Sequence, residues 1–281
     1  MIEIQRLNPI DELRADPSPL AELWLALFDH HVSTGAAGMP TRPRTGSWPQ
    51  RRDHYLDTVA GSPHASLWVA LETDRPVGYA LSFEDTLDGE PVEVLETLSL
   101  LPGTRGKGLG AELVRGVEDD ARARGIRRVA IDVMGGNDGA LRFYERSMYR
   151  PYSVTWMRSL PPATDAVEAL DLASPKAGDA RAAFAELGLA LTATGQSDDT
   201  WATAGSVATV AIPTIDAAGE SSPVAWVNEL ERGADLLGAA GFWTVWFEMP
   251  ASALTAPEGP IGGALAHRGF HHGMSRVVKA I

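Results

Sequence analysis

Residues 98–110 read LSLLPGTRGKGLG and join a strand-like run to a helix-like run. Residues 92–100 are mostly apolar, and from residue 109 apolar side chains recur at helical spacing. The first N–H groups of a helix lack acceptors within it and carry the positive end of its dipole, while glycines let a phosphate approach the backbone. We therefore predict an anion site made of Arg105, Gly106, Lys107, Gly108, Leu109 and Gly110.

The glycine spacing differs from that of two common phosphate-binding loops. A Rossmann turn has the pattern Gly-x-Gly-x-x-Gly, and here the third glycine comes one residue early. A Walker A loop places Ser or Thr after its Gly-Lys pair, whereas Lys107 is followed by Gly108. The ligand is therefore expected to belong to another class.

The pattern Arg-x-x-Gly-x-Gly, preceded by Leu-x-Leu-x-Pro, resembles the acyl-CoA loop of the GCN5-related N-acetyltransferase (GNAT) family. The order strand, helix, helix, three strands, helix, strand, helix, strand in residues 1–160 is similar to the fold of that family. The match is close from Ser66 onward and looser before it. The resemblance implies an α/β (α+β) fold with a mixed, splayed central sheet.

Residues 161–175 mix Pro, Ala and Asp and are predicted to be a linker. Beyond them, residues 176–281 are interpreted as a degenerate GNAT-like repeat. Its residues 241–248, GFWTVWFE, correspond to residues 125–132, GIRRVAID, and residues 275–281 correspond to the closing strand of the first domain. Two domains are therefore expected, an acetyltransferase domain at 1–160 and a smaller α/β domain at 176–281.

The repeat lacks the residues that would carry chemistry. Where its phosphate loop should lie, residues 217–223 read AAGESSP, which include a glutamate and no basic residue. No tyrosine follows Tyr152, and the only asparagine after Asn137 is Asn228. The second domain is predicted to be structural, either packing on the first as a partner subunit does or forming one wall of the acceptor pocket. The expected state is a monomeric pseudo-dimer or a homodimer.

Composition restricts the chemistry and the partners. The chain has 281 residues and no cysteine, so disulfides, thiolate metal sites and a cysteine acyl intermediate are excluded. Its formal charge of −13 argues against a nucleic-acid partner and is compatible with a cationic acceptor, although an acidic surface can also serve solubility alone. No run of about 18 apolar residues and no signal peptide is recognised, so a cytoplasmic protein without membrane association is expected.

The resemblance implies acetyl-CoA as co-substrate and direct transfer of its acetyl group to the primary amine of a small molecule or peptide. The backbone of Leu98, Ser99 and Leu100 would pair with the pantetheine amides. Tyr144 aligns with a tyrosine that lies beside the cofactor sulfur in many relatives, where it would protonate the thiolate; a core aromatic is the alternative. Asn137 would bind the pantetheine arm, cap the following helix, or do both.

Glu96 is the predicted general base, acting directly or through water. Strand alternation predicts that Glu96 lies on one side with Leu98 and Leu100, and that Glu93 and Leu95 lie on the other. A cross-strand ion pair without a catalytic part is an equally good reading of Glu96. Glu93, a histidine or a water chain are the other candidates for the base.

Three histidines flank residues 32–50, a segment rich in Gly, Pro, Thr and Ser that is predicted to be a rim or lid. His30, His31 and His54 could contact the acceptor or act as the base. Adjacent histidines also suggest a metal, but no further ligands follow at metal spacing, so no metal is expected.

The sequence departs from the family pattern after the tyrosine helix, and a second function is compatible with the resemblance. The family usually has Gly-Phe after the tyrosine helix, whereas this chain has Met148-Tyr149, which puts the local turn in question. A non-catalytic acyl-CoA sensor or scaffold is the alternative function. The presence of Tyr144, Asn137 and Glu96 together with Arg105 favours an enzyme, because a sensor needs only the last of these.

Overall fold

A computed structural model describes residues 2–16, 18–34, 44–160, 178–186, 189–196, 206–211, 223–242, 244–252 and 255–281. The predicted linker and residues 217–222 of the second predicted loop lie outside these ranges. The first half contains β1 (Ile2–Leu7), α1 (Pro9–Arg14), α2 (Ala21–Thr34), α3 (Ser47–Gly61), β2 (Ala65–Glu72), β3 (Arg75–Leu87), β4 (Glu90–Leu100), α4 (Leu109–Ala123), β5 (Arg128–Met134), α5 (Asp138–Arg146) and β6 (Arg150–Ser159). The second half contains α6 (Gly178–Glu186), β7 (Ala190–Gln196), β8 (Ser206–Ala211), α7 (Pro223–Ala239), β9 (Thr244–Pro250), α8 (Pro260–His267) and β10 (His271–Ala280).

The described strands form one ten-stranded sheet in the order β1-β2-β3-β4-β5-β10-β6-β9-β8-β7. Strands β1 to β4 are antiparallel, and β4 pairs with β5 in parallel. The sheet is therefore mixed, as the resemblance implied. The predicted order of elements in residues 1–160 is found, with one further short helix, α1, between β1 and α2.

The final strand of each half pairs with the other half of the chain. Strand β10 lies between β5 and β6 and is antiparallel to both. Strand β6 in turn pairs with β9, which runs parallel to β8. The division into two domains stays a prediction, but the hydrogen bonds of the sheet cross the proposed boundary. The second half thus supplies a strand to the sheet that carries the predicted site.

Strands β4 and β5 are paired over three residues only. The pairs run from Glu93 opposite Val129 to Leu95 opposite Ile131, although β4 continues to Leu100 and β5 to Met134. The two strands separate beyond these pairs. The splay expected in the central sheet is therefore present, and it opens at the end of β4 that leads into the glycine loop.

Helices cover the sheet in three groups. The apolar stripe of α4, which includes Leu113 and Val117, packs with α5 against β5 in one core. Helices α1 to α3 cover the opposite face at β2 and β3, where Trp24 and Tyr55 are fully buried. Helices α6, α7 and α8 form a third core with β6 and β9. Among the described residues, no helix is long and apolar enough to cross a membrane.

Gly135 provides a test of the strand exchange. Its N–H donates to the Gly273 carbonyl at 2.7 Å, and a Cβ built on it would lie 1.9 Å from the His272 carbonyl oxygen. We expect Gly135→Ala to push β10 away from β5 and lower the free energy of unfolding by about 3 kcal/mol, measured by urea denaturation. Gly103→Ala is the control, because a Cβ there meets no atom within 4 Å. Equal stability of the two variants would contradict the observed contact.

Candidate functional site

The loop before α4 presents a row of unpaired backbone donors. Gly106 and Gly108 have φ of 76° and 87°, a region that favours glycine, and a Cβ on either would meet no atom within 4 Å. The N–H groups of residues 106–111 have no acceptor among the described residues, and Glu112 is the first to bond back, to the Gly108 carbonyl. Gly110 differs, because its Cβ would point inward to within 3.5 Å of Leu100. The open loop fits an anion.

Two cations lie on this loop. Arg105 donates from Nε to the Leu100 carbonyl at 3.1 Å, which holds its guanidinium beside the end of β4. Desolvation lowers the pKa of Arg105, but a guanidinium stays charged at neutral pH. Lys107 is exposed, and it has no ion-pair partner in the described part of the chain. Positive charge therefore surrounds the unpaired N–H groups.

The end of β4 has one free edge. Leu98, Ser99 and Leu100 pair with β3 on one side, and the splay leaves their other side without a described strand. The Ser99 hydroxyl donates to the Leu23 carbonyl at 2.7 Å and so ties β4 to α2. An extended chain of amides could add to the free edge as a further strand.

A β-bulge changes the predicted orientation of the proposed base. Leu95 and Thr97 face consecutive residues of β3, which leaves Glu96 as the extra residue of β4. Glu96 contacts α3, whereas Leu98 and Leu100 pack with Leu95 in the core beneath α4. The expectation that Glu96 shares a side with Leu98 and Leu100 is therefore wrong, because simple alternation does not continue through a bulge.

Glu96 belongs to a charged cluster at the start of the splay. Its Oε1 accepts a hydrogen bond from the buried Arg51 guanidinium and lies 3.2 Å from His54 Nε2. The guanidinium itself lies 4.9 Å from the ring centre of Trp24 and 4.6 Å from that of Tyr55. Burial alone would raise the pKa of Glu96, but the charge of Arg51 and the His54 hydrogen bond lower it overall. The carboxylate is thus ionised at neutral pH.

Hydroxyl groups fix the backbone of the bulge. Thr97 Oγ1 lies 2.5 Å from the Tyr55 hydroxyl and accepts from Arg51 at 3.2 Å, and the Tyr55 and Tyr79 hydroxyls are 3.0 Å apart. Three residues of this cluster were not predicted from the sequence: Arg51, Thr97 and Tyr79. The spacing of Arg51, His54 and Tyr55 at i, i+3 and i+4 was the available signal, because it places all three on one face of a helix.

The end of α2 also reaches this site. Burial and the charge of Arg105 lower the pKa of His30, and a side-chain hydrogen bond with Asn137 opposes this. Burial is the main cause that lowers the pKa of His31 to about 3, with contributions from His30, Arg51 and Arg105. The described residues contain no group of three His, Asp or Glu side chains able to hold a metal.

Tyr144 lies on α5 beneath the splayed strands. It is 5% exposed, its ring meets those of Phe143 and Tyr149 edge to face, and its hydroxyl has no hydrogen-bond partner among the described residues. Burial raises the pKa of Tyr144, so the phenol stays protonated and can donate. Asn137 caps α5 by accepting from the Ala140 N–H at 3.2 Å, as predicted for one of its two roles.

Two other predicted positions have structural partners instead. Glu93, an alternative base, is fully buried on the α4 side and accepts a hydrogen bond from the Arg124 guanidinium, while burial raises its pKa.

Met148 adopts φ of 72°, close to the 75° of Gly269, so the turn after α5 is kept without glycine. Tyr149 is buried against Tyr144 and donates to Glu118 at 2.9 Å.

Comparison with known proteins finds a family similarity for part of the chain. Residues 34–148 match the model of the acetyltransferase (GNAT) family. The mycothiol acetyltransferase of Beutenbergia cavernae is 32% identical over 146 residues, which are 49% of this chain and 44% of that protein. The match therefore spans less than half the length of that relative.

Solved structures resemble this chain over almost its whole length. A GCN5-related N-acetyltransferase from Sphaerobacter thermophilus aligns with a TM-score of 0.51 at 14% identity, over 99% of this chain and 95% of that chain. A GCN5-related glucosamine N-acetyltransferase region of a fungal multi-domain β-N-acetylglucosaminidase aligns at 0.54 and 12% identity, over 99% of this chain and 38% of that chain. At these identities the likeness shows the fold alone.

The low pKa of His31 predicts a specific loss of stability in acid. The unfolded chain protonates His31 near 6.5 and the folded protein only near 3, so this contribution is complete above pH 6.5 and is lost as pH falls toward 3. We expect the His31 contribution to the free energy of unfolding to fall by about 1.4 kcal/mol per pH unit between the histidine pKa and about pH 5. Denaturant titrations of wild type and His31→Gln measure it, and identical pH dependence in both would contradict the assignment.

Proposed function

We propose, since residues 34–148 match the model of the GNAT acetyltransferase family, that the chain transfers the acetyl group of acetyl-CoA to the primary amine of a small molecule or peptide. The unpaired N–H groups of residues 106–111, flanked by Arg105 and Lys107, are the observation that carries this proposal. A pyrophosphate matches them in charge and in hydrogen-bonding capacity.

The free edge of β4 supports the same ligand. Leu98 to Leu100 lie directly before the loop, so a pantetheine arm leaving the pyrophosphate could run along them and reach the start of the splay. Asn137 and Tyr144 approach from α5, while Glu96 lies at the point where the strands separate. The thioester would thus meet the phenol on one side of the sheet and the carboxylate on the other.

The residues at the splay suit an acyl transfer without a covalent enzyme intermediate. Glu96, ionised and tied to His54, receives the proton that the ammonium must lose, and His54 offers a route for it to solvent. The free amine attacks the thioester carbonyl carbon, a C–N bond forms and the C–S bond breaks. Tyr144 then donates its proton to the departing thiolate and is reprotonated by the proton released from the new amide nitrogen.

Removing the charges of the loop tests the placement of the pyrophosphate. We expect Arg105→Ala combined with Lys107→Ala to weaken CoA binding at least about tenfold, because two charge-assisted contacts are lost. Affinities for CoA and for pantetheine, which lacks the pyrophosphate, are measured by calorimetry. A loss of affinity for CoA alone locates the missing contacts at the pyrophosphate. Arg115→Ala is the control, since Arg115 is an exposed residue of the same helix. An unchanged CoA affinity in the double variant would contradict the site.

Kinetics test the assignment of the acid and the base. We expect Tyr144→Phe and Glu96→Gln each to lower kcat by about 100-fold with little change in CoA affinity, because each removes a proton-transfer group. Tyr152→Phe is the control, as the Tyr152 hydroxyl donates to the exposed carboxylate of Asp88. The release of free CoA thiol from acetyl-CoA is measured with polyamines, aminoglycosides, amino acids and peptides as acceptors. Tight CoA binding without release on any of these amines would favour a sensor instead.

A further inference from the structure

A cavity of about 310 Å³ lies on the sheet face opposite α4 and α5. The side chains that line the cavity lie on one face of four adjacent strands, because side chains alternate between the two faces of a sheet. The residues next to them in the chain pack into the helix-covered cores on the other face: Val133, Val277, Val154 and Phe247. The lining side chains are Asp132 of β5, Met274 and Arg276 of β10, Thr155 of β6, and Trp246 and Glu248 of β9. Both halves of the chain therefore build this cavity.

The cavity begins at the proposed reaction site. Asp132 directly follows Ile131, the last residue of β5 that pairs with β4, and it faces away from the core beneath α4. From β5 to β9 the sheet crosses three strand spacings, which amounts to about 14 Å. An acceptor whose amine lies at the splay could therefore extend across the sheet as far as β9.

Two carboxylates and one guanidinium line the cavity. Asp132 and Arg276 neutralise each other through two hydrogen bonds of 2.9 and 2.7 Å. Glu248 accepts a hydrogen bond from the Ser153 hydroxyl through Oε1, and it forms no salt bridge in the described ranges, although its charge also acts on Arg276. The lining therefore has one carboxylate more than it has cations, and Trp246 lies on the same face as Glu248, two residues away.

We propose that Trp246 and Glu248 bind a second cationic group of the acceptor. A carboxylate beside an aromatic ring attracts an ammonium by direct charge and by the cation–π interaction. The acceptor class is then an extended polyamine, with about 14 Å between the reacting nitrogen and the second cation. The inference rests on the proposed function, and it assigns the second half of the chain to substrate selection.

Steady-state kinetics with two amines of different length test the site. Spermine is long enough to reach β9 from the splay, and putrescine is less than half as long. We expect Glu248→Gln and Trp246→Ala each to lower the ratio of kcat/KM for spermine to that for putrescine by about tenfold. Glu229→Gln, on the exposed surface of α7, should leave the ratio unchanged. An unchanged ratio in both site variants would overturn the proposal.

Binding measurements separate this inference from the proposed reaction. Calorimetry of spermine with the CoA-saturated protein needs no turnover, and we expect about tenfold weaker binding by Glu248→Gln than by wild type. If the variant binds spermine more weakly than wild type while wild type transfers no acetyl group, the site is upheld and the proposed reaction is overturned. Acetyl transfer by wild type with equal spermine affinity in both proteins, or no spermine binding by wild type, would overturn the site.

Discussion

The separation of β4 from β5 after three paired residues determines where each candidate functional group lies. It leaves one edge of Leu98 to Leu100 free, and it places Glu96 and Asp132 at the fork on the same face of the sheet. Tyr144 approaches from the opposite face, and the unpaired N–H groups lie where β4 leads into α4. The proposed donor, acid, base and acceptor regions therefore lie around one opening in the sheet.

The ion pair between Arg51 and Glu96 holds this opening in shape. Burying a guanidinium and a carboxylate costs free energy, which their attraction offsets only with good geometry and further hydrogen bonds. Here two aromatic rings flank the guanidinium, and Thr97 and His54 supply the additional contacts. Replacing one member by an apolar residue would leave the other buried without its opposite charge. The pair fixes the bulge of β4 and keeps the carboxylate ionised.

Local chemistry explains what could be predicted from the sequence and what could not. The glycine loop, the cap of α5 and the order of elements depend on neighbouring residues, so pattern and spacing were sufficient. The bulge at Glu96 depends on contacts with α3, more than 40 residues earlier, and alternation could not reveal it. The insertion of β10 depends on still more distant pairing. The repeat suggested a closing strand but gave no signal of its partner.

The position of β10 also has a consequence for biosynthesis. Its two neighbours, β5 and β6, leave the ribosome more than a hundred residues before it does. Until then each presents an unpaired edge, the kind of surface that joins wrongly with other chains. The strand order around β5 and β6 can therefore be completed only after residues 271–280 have emerged.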